Sequence, residues 1–404
     1  MNEIKYKNFS FRAHKKNLRK NKPNVCQFEL TFGCGLHCKH CYSDCYNTAR
    51  YIKRELNTKK VKFILDKVYD QGILWLCFTG GDPLTRGDFL ELYAYAKDKG
   101  FIVTIFTNGY SMNKRIVSYL RDGPPFVIEI TLNAVTEDLY ERISRVKGSF
   151  SKVMDGIDLI LKAKLPLKIK TQITKDNIEQ LPKIKQFIEN LGLRFRPSVF
   201  LHSRLNGDLT PTDLRISPQE ILSLNGNKRS SMDDCELLSK TENGSTDSPS
   251  LERIRLLSVF DPERDRRVEP SRGSMNSPCL ESCRVKSRQA QSRDRKPKTE
   301  LFRCAIGGRD GIYIDPYGNI FPCSCIRKPR VNLLKEDIEE AHKKILHWVR
   351  TRHFTRNSEC EECSIRSICY SCPGKALLET GDLEGISDWF CDLAHLMQKE
   401  NIMV

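Results

Sequence analysis

Eight residues constrain this chain more than any others: Cys34-Gly35-Leu36-His37-Cys38-Lys39-His40-Cys41. Its three cysteines are separated by three and then two intervening residues, and an aromatic, Tyr42, follows the last. The stretch comes directly after a short apolar run, 25–30, that reads as a strand. Three thiolates on one tight loop can hold three irons of a cubane cluster and leave the fourth iron without a cysteine. An iron open in this way can bind and reduce another molecule. The competing reading is a structural zinc knuckle, or cysteines that only pack.

From residue 25 to about 200 the pattern alternates strand and helix. Candidate strands are 25–30, 73–78, 102–106, 126–132, 167–173 and 193–200, most of them rich in β-branched or aromatic residues. Between them lie helical stretches, among them 58–70, with Val61, Ile64, Leu65 and Val68 on one face. Alternation of this kind implies a parallel sheet with right-handed crossovers, and six units are too few for a closed eight-stranded barrel. In such folds the chemistry collects at the C-terminal ends of the strands. Thr79-Gly80-Gly81-Asp82-Pro83 follows the second strand, Thr107-Asn108-Gly109 the third, and Thr131-Leu132-Asn133 ends the fourth.

The cysteine spacing followed by Tyr42 resembles the signature of the radical S-adenosylmethionine (SAM) superfamily. The Gly80-Gly81-Asp82-Pro83 run resembles that superfamily's Gly-Gly-Glu-Pro loop, with Asp for the commoner Glu. The resemblance implies a partial (β/α)6 barrel, in agreement with the six units counted independently. It implies a [4Fe-4S] cluster on Cys34, Cys38 and Cys41 that binds SAM, and contacts to SAM from Tyr42, Gly80, Gly81 and Asp82, the last holding the amino group. Thr131 or Asn133 is the candidate for the ribose, and Arg145 for the carboxylate. Reductive cleavage of SAM would yield a 5′-deoxyadenosyl radical that removes a hydrogen atom from a substrate carbon. The cofactors carry that chemistry, so a catalytic triad is not needed.

The rest of the chain is read in segments. Residues 1–24 are a basic, polar N-terminal arm, 25–225 the barrel, 226–300 a polar insert or linker with fading apolar periodicity, and 301–404 a cysteine-rich domain. Cys304, Cys323, Cys360, Cys363, Cys369, Cys372 and Cys391 resemble the SPASM extension, which carries auxiliary iron–sulfur clusters. One departure is the two residues, rather than three, between Cys369 and Cys372. The resemblance assigns Cys304, Cys323 and Cys372 to the nearer of two auxiliary clusters, its fourth position falling to Cys325, to another residue or to substrate, and Cys360, Cys363, Cys369 and Cys391 to the distal one.

Seventeen cysteines in a chain without a visible secretory start point to metal ligation in a reducing, cytoplasmic setting rather than to disulfides. No apolar run approaches the ~18 residues of a membrane span. The net charge of +16 admits several acidic partners. The basic residues are not interleaved with aromatics as in a nucleic-acid stacking platform, which disfavours a zinc-dependent nucleic-acid-binding protein. The family's habits imply a ribosomal precursor peptide as substrate, oxidised to a thioether or carbon–carbon cross-link, and an electron donor such as flavodoxin or ferredoxin. Formylglycine-type sulfatase maturation is the alternative within the same chemistry.

Overall fold

The structure is a computed structural model that describes residues 6–20, 22–226, 299–302, 311–355, 358–366 and 369–400. Most of the expected insert and Cys304 lie outside the described residues.

The barrel units form where the periodicity placed them. Strands β1 (Val25–Thr31), β2 (Trp75–Gly80), β3 (Ile102–Thr107), β4 (Val127–Thr131), β5 (Leu167–Gln172) and β6 (Pro197–Ser198) follow one another in parallel across the sheet. Side chains alternate between faces, as a strand requires. Cys26, Phe28 and Leu30 of β1 pack outward in the main core with Val61, Ile64 and Leu65 of the helix Thr58–Asp70. That helix starts where Asn57 accepts a hydrogen bond from the Lys60 N–H, a side-chain cap at its first turn.

The inward face of the sheet changes character along the strands. At the bottom, Val25, Trp75 and Val127 form a separate apolar cluster. Higher up, the buried Glu29 and Glu129 stand on β1 and β4, and Lys170 of β5 lies 3.3 Å from Glu129. The barrel interior is thus dry at one end and charged at the end nearest the cysteine loop.

Three expectations change. The basic arm is not simply solvated. Residues Tyr6–Arg19 form a helix that plugs the apolar end, with Trp75 Nε1 donating to Tyr6 Oη at 2.7 Å and the His14 ring 4.4 Å from Trp75. Burial of Tyr6 and His14 against an indole outweighs the charge of the helix's other face. The sixth strand shrinks from the expected 193–200 to two residues, Pro197 and Ser198, paired with Thr171 and Gln172. The third concerns how the residues after 301 meet the barrel. Gly311–Ile314 is a strand, β7, that pairs in parallel with β1, and two short antiparallel strands, β8 (Asn319–Phe321) and β9 (Val331–Asn332), continue the same sheet. The nine-stranded order is β6-β5-β4-β3-β2-β1-β7-β8-β9 among the described residues. The cysteine-rich region is therefore joined to the barrel through the strand that carries the cysteine loop.

Candidate metal centre

The loop after β1 is held from three sides. Asn47 clamps its start: the Cys34 N–H donates to Asn47 Oδ1 at 3.0 Å, and Asn47 Nδ2 donates to the carbonyls of Cys34 and Leu36. The middle docks on the end of the helix Glu137–Ser144. There the N–H groups of His37 and Lys39 donate to the carbonyls of Ser144 and Ile143, acceptors that a helix C-terminus leaves free. Lys39 also pairs with Asp176 at 3.1 Å. At the far end, Arg204 donates to the Cys41 carbonyl at 3.2 Å and pairs with Asp44 and Asp208.

Gly80 and Gly81 serve the meeting of two loops. The Gly81 and Asp82 N–H groups donate to the carbonyls of Thr31 and Gly33. A Cβ on Gly80 would stand 2.1 Å from the Thr31 oxygen, and one on Gly81 would stand 2.5 Å from the oxygens of Phe32 and Gly33. Gly80 also has a φ of +140°, which a side chain rarely permits. Both glycines are required by the backbone of the cysteine loop itself.

Asp82 is fully buried, and its carboxylate turns toward β3. Oδ2 accepts from Thr107 Oγ1 at 2.7 Å and from the Asn108 N–H at 2.8 Å, and Oδ1 accepts from the Leu84 N–H at 2.9 Å. Burial raises its pKa, and these three hydrogen bonds oppose the rise. The Asn108 side chain then reaches the cluster loop: Nδ2 lies 3.2 Å from Cys34 Sγ, and its Oδ1 accepts from the Tyr110 N–H.

Asn133 is likewise committed to protein. Its Oδ1 accepts from the Gln172 N–H, its carbonyl from Asn177 Nδ2, and its Nδ2 lies 3.3 Å from His40 Nε2. With Nε2 accepting, the proton of His40 sits on Nδ1, a buried atom that has no partner among the described residues. Burial holds the His40 pKa down to about 4, so the ring is neutral. Thr131 is half-buried at the end of β4. Arg145 is exposed, with φ +59°, and ends the helix against which the cysteine loop docks. The Tyr42 phenol pKa is raised by burial and by Glu29, with Arg327 opposing.

The donor set suits a strongly cationic group. Burial pushes the Cys34 thiol up to about 12, and Asp82, Cys41 and Asp44 add to the rise. Cys38 and Cys41 are raised by burial as well, Cys38 also by the other two thiols. Thiolates crowded in this way need positive charge among them, and iron supplies it. Among the described residues no group of three or more His, Cys, Asp or Glu closes on a single ion. In a cubane each thiolate binds a different iron, so its ligands need not converge on one point. Cys34, Cys38 and Cys41 are thus the residues that would hold the cluster.

Farther along the chain, Cys391 sits within electrostatic reach of Cys360, Cys363 and Cys369, so these four lie together. Cys372 lies beside Cys325, which hydrogen-bonds Cys323. Cys304 lies outside the described residues.

Residues 28–188 match the radical SAM superfamily. The chain carries a radical SAM domain. The match runs from β1 to the last turns of the helix Leu181–Asn190 and includes the cysteine loop, Asp82 and Asn133. This radical SAM chain is 24% identical to the AdoMet-dependent heme synthase of Methanosarcina barkeri, over 90% of its own length and 94% of the relative's. It is 30% identical to the PqqA peptide cyclase of Granulibacter bethesdensis over 41% of its length and 43% of that protein. Seven further relatives, that cyclase among them, align over only 42–48% of their own lengths. In fold it is similar to Streptococcus suis SuiB crystallised with the precursor peptide SuiA, with a TM-score of 0.61 at 19% identity, covering 94% of this chain and 79% of that one. The radical SAM domain makes this chain an enzyme and displaces the zinc-dependent nucleic-acid-binding alternative. No helix among the described residues is long and apolar enough to cross a membrane.

The site residues that sequence reasoning passed over are Asn47, Arg204 and Asn108. Asn108 had a visible signal, since it stands in the Thr-Asn-Gly turn at a strand's C-terminal end. Asn47 and Arg204 had none, because each acts through a contact that spacing does not reveal.

Proposed function

We propose that this enzyme oxidatively modifies a ribosomal peptide by hydrogen-atom abstraction from one of its carbons, forming a thioether or carbon–carbon cross-link. The observation that carries the reading is the placement of Cys34, Cys38 and Cys41 at the charged mouth of a barrel whose other end is sealed by Trp75 and the N-terminal helix. Bound there, the cluster and SAM supply a 5′-deoxyadenosyl radical. The chain's part is to hold and shield. Asn47 and the Ile143 and Ser144 carbonyls fix the cysteine loop. The candidates for SAM are Thr131 at the end of β4 for the ribose, the exposed Arg145 at the end of the helix Glu137–Ser144 for the carboxylate, and the buried Asp82 for the amino group. Cys323, Cys360, Cys363, Cys369, Cys372 and Cys391 would hold auxiliary clusters that would accept the electron lost by the substrate, and a donor such as flavodoxin or ferredoxin would supply the first. The peptide-modifying relatives support the substrate class.

A second reading has its own support. The relative aligned over nearly the whole chain is a heme synthase, which favours a haem precursor as substrate. One experiment serves both. The protein is reconstituted anaerobically, iron and acid-labile sulfide are measured, and 5′-deoxyadenosine is followed after SAM and reductant are added. Sulfide-containing iron and nucleoside formation are expected, both abolished at this site by replacing Cys34, Cys38 and Cys41 with Ala. Zinc without sulfide overturns the proposal. Mass change of a short peptide encoded beside the gene then supports the first reading, and conversion of an iron porphyrin the second.

A further inference from the structure

We infer that Cys325 is a thiolate ligand, with Cys323 and Cys372, of one iron–sulfur centre in the C-terminal region. The inference rests on the reading that this region carries auxiliary clusters. The seven cysteines of the SPASM resemblance do not include Cys325.

The argument begins with the turn Cys323-Ser324-Cys325-Ile326. Its ends pair as an antiparallel bridge, with the Ile326 N–H donating to the Cys323 carbonyl at 3.0 Å. This closure brings the two thiols together, and Cys323 and Cys325 hydrogen-bond one another. Cys323 is buried and Cys325 half-buried, so neither is a surface thiol.

The third sulfur arrives on another element. Cys372 stands before the helix Pro373–Thr380, its sulfur turned toward the Gly374 and Lys375 N–H groups of the first turn. That helix starts against the turn. A Cβ on Gly374 would lie 3.0 Å from Cys325 Cβ, 3.2 Å from Ile326 Cγ1 and 3.5 Å from Cys323 Sγ. Glycine at this place permits the approach of Cys372 to the other two.

Charge supplies an independent observation. The Lys375 side chain runs back into the same place, its ammonium 4.2 Å from the Phe390 ring centre and 4.8 Å from that of Phe200, donating to the Tyr370 carbonyl at 2.7 Å. Among the described residues no carboxylate lies within salt-bridge distance of it. The anions in its field are Cys372, Cys325 and Cys369. A withdrawn ammonium calls for a negative partner, and a thiolate-ligated cluster, net anionic, provides one. Tyr42, next to Cys41, lies in the field of Cys325 as well.

The test uses the full chain, reconstituted anaerobically as wild type and as Cys325→Ala, Cys325→Ser, Cys323→Ala and Cys372→Ala. Iron, sulfide and the EPR spectrum of the reduced protein are compared, and the cluster that responds to SAM is recognised by its shift on SAM addition. Loss of one auxiliary signal in Cys325→Ala, and a displaced one in Cys325→Ser, with the SAM-responsive signal retained, is the expected result. Serine keeps the volume and offers a weaker oxygen ligand, so it reports even where alanine impairs folding. Wild-type iron and EPR in Cys325→Ser and Cys325→Ala, with loss in Cys323→Ala, overturn the inference and leave the auxiliary-cluster reading standing. No change in any of the four variants overturns both.

Discussion

Asn108 aims its side-chain amide at the sulfur of Cys34, with Nδ2 3.2 Å from Sγ. The aim is imposed from both sides of the residue. Asp82 Oδ2 accepts from its backbone N–H, and its own Oδ1 accepts from the Tyr110 N–H, which leaves the NH2 group facing the cysteine loop. An N–H donor to a ligand sulfur stabilises the more negative, reduced cluster, and this is one of the levers on cluster potential. Replacing Asn108 with Leu should lower the midpoint potential of the SAM-binding cluster by tens of millivolts, on the order expected for one charge-assisted hydrogen bond partly lost. An EPR-monitored redox titration measures it. An unchanged potential would show that the contact does not persist once iron is bound.

Asp82 carries a related prediction. Its carboxylate satisfies Thr107, Asn108 and Leu84 in a fully buried place. Asp82→Ala leaves those donors without an acceptor and should destabilise the protein by roughly 2–4 kcal/mol. Chemical denaturation gives the value. A carboxylate engaged only with SAM would instead leave stability untouched and raise the KM for SAM.

The Arg327 guanidinium grips Glu29 with two hydrogen bonds, of 2.6 and 2.8 Å, and so ties the segment after β8 to β1. Breaking such a pair strands a charge. Glu29→Leu or Arg327→Leu alone should cost about 3–5 kcal/mol, and the two replacements together should cost less than the sum. A double-mutant cycle on unfolding free energy decides, and additivity of the two singles would mean that the pair is not coupled.

His202 predicts a pH effect. Burial, with Lys375 and Arg215 nearby, depresses its pKa from 6.5 to about 3. The folded state keeps the ring neutral while the unfolded chain takes up a proton below pH 6.5. Its contribution is therefore complete above that pH and is lost as pH falls toward 3, at up to about 1.4 kcal/mol per pH unit. His202→Gln should flatten the fall in Tm between pH 7 and 5. Parallel curves for variant and wild type would remove His202 from the acid response.

Much of the barrel was legible because strand and helix periods are local. Residues such as Val61, Ile64, Leu65 and Val68 face one way whatever they meet. The cysteine loop was legible for the same reason, since its three cysteines fall within eight consecutive residues. Asp82 was visible as a motif, but its direction was not. Whether its carboxylate turns to a ligand or to Thr107 depends on how closely β3 passes β2.

The amino-acid sequence by itself determined the βα order, the grouping of Cys34, Cys38 and Cys41 on one loop, and the strand-end positions of Gly80, Gly81 and Asp82. Only the tertiary structure decided that β7 pairs with β1 and that Asn47, Asn108 and Arg204 serve the cysteine loop. The reason is distance along the chain. Period and spacing report neighbours a few residues apart, whereas Arg327 with Glu29, or Asn108 with Cys34, meet only after the sheet has closed and the burial of its apolar face has made up for the entropy of bringing them together.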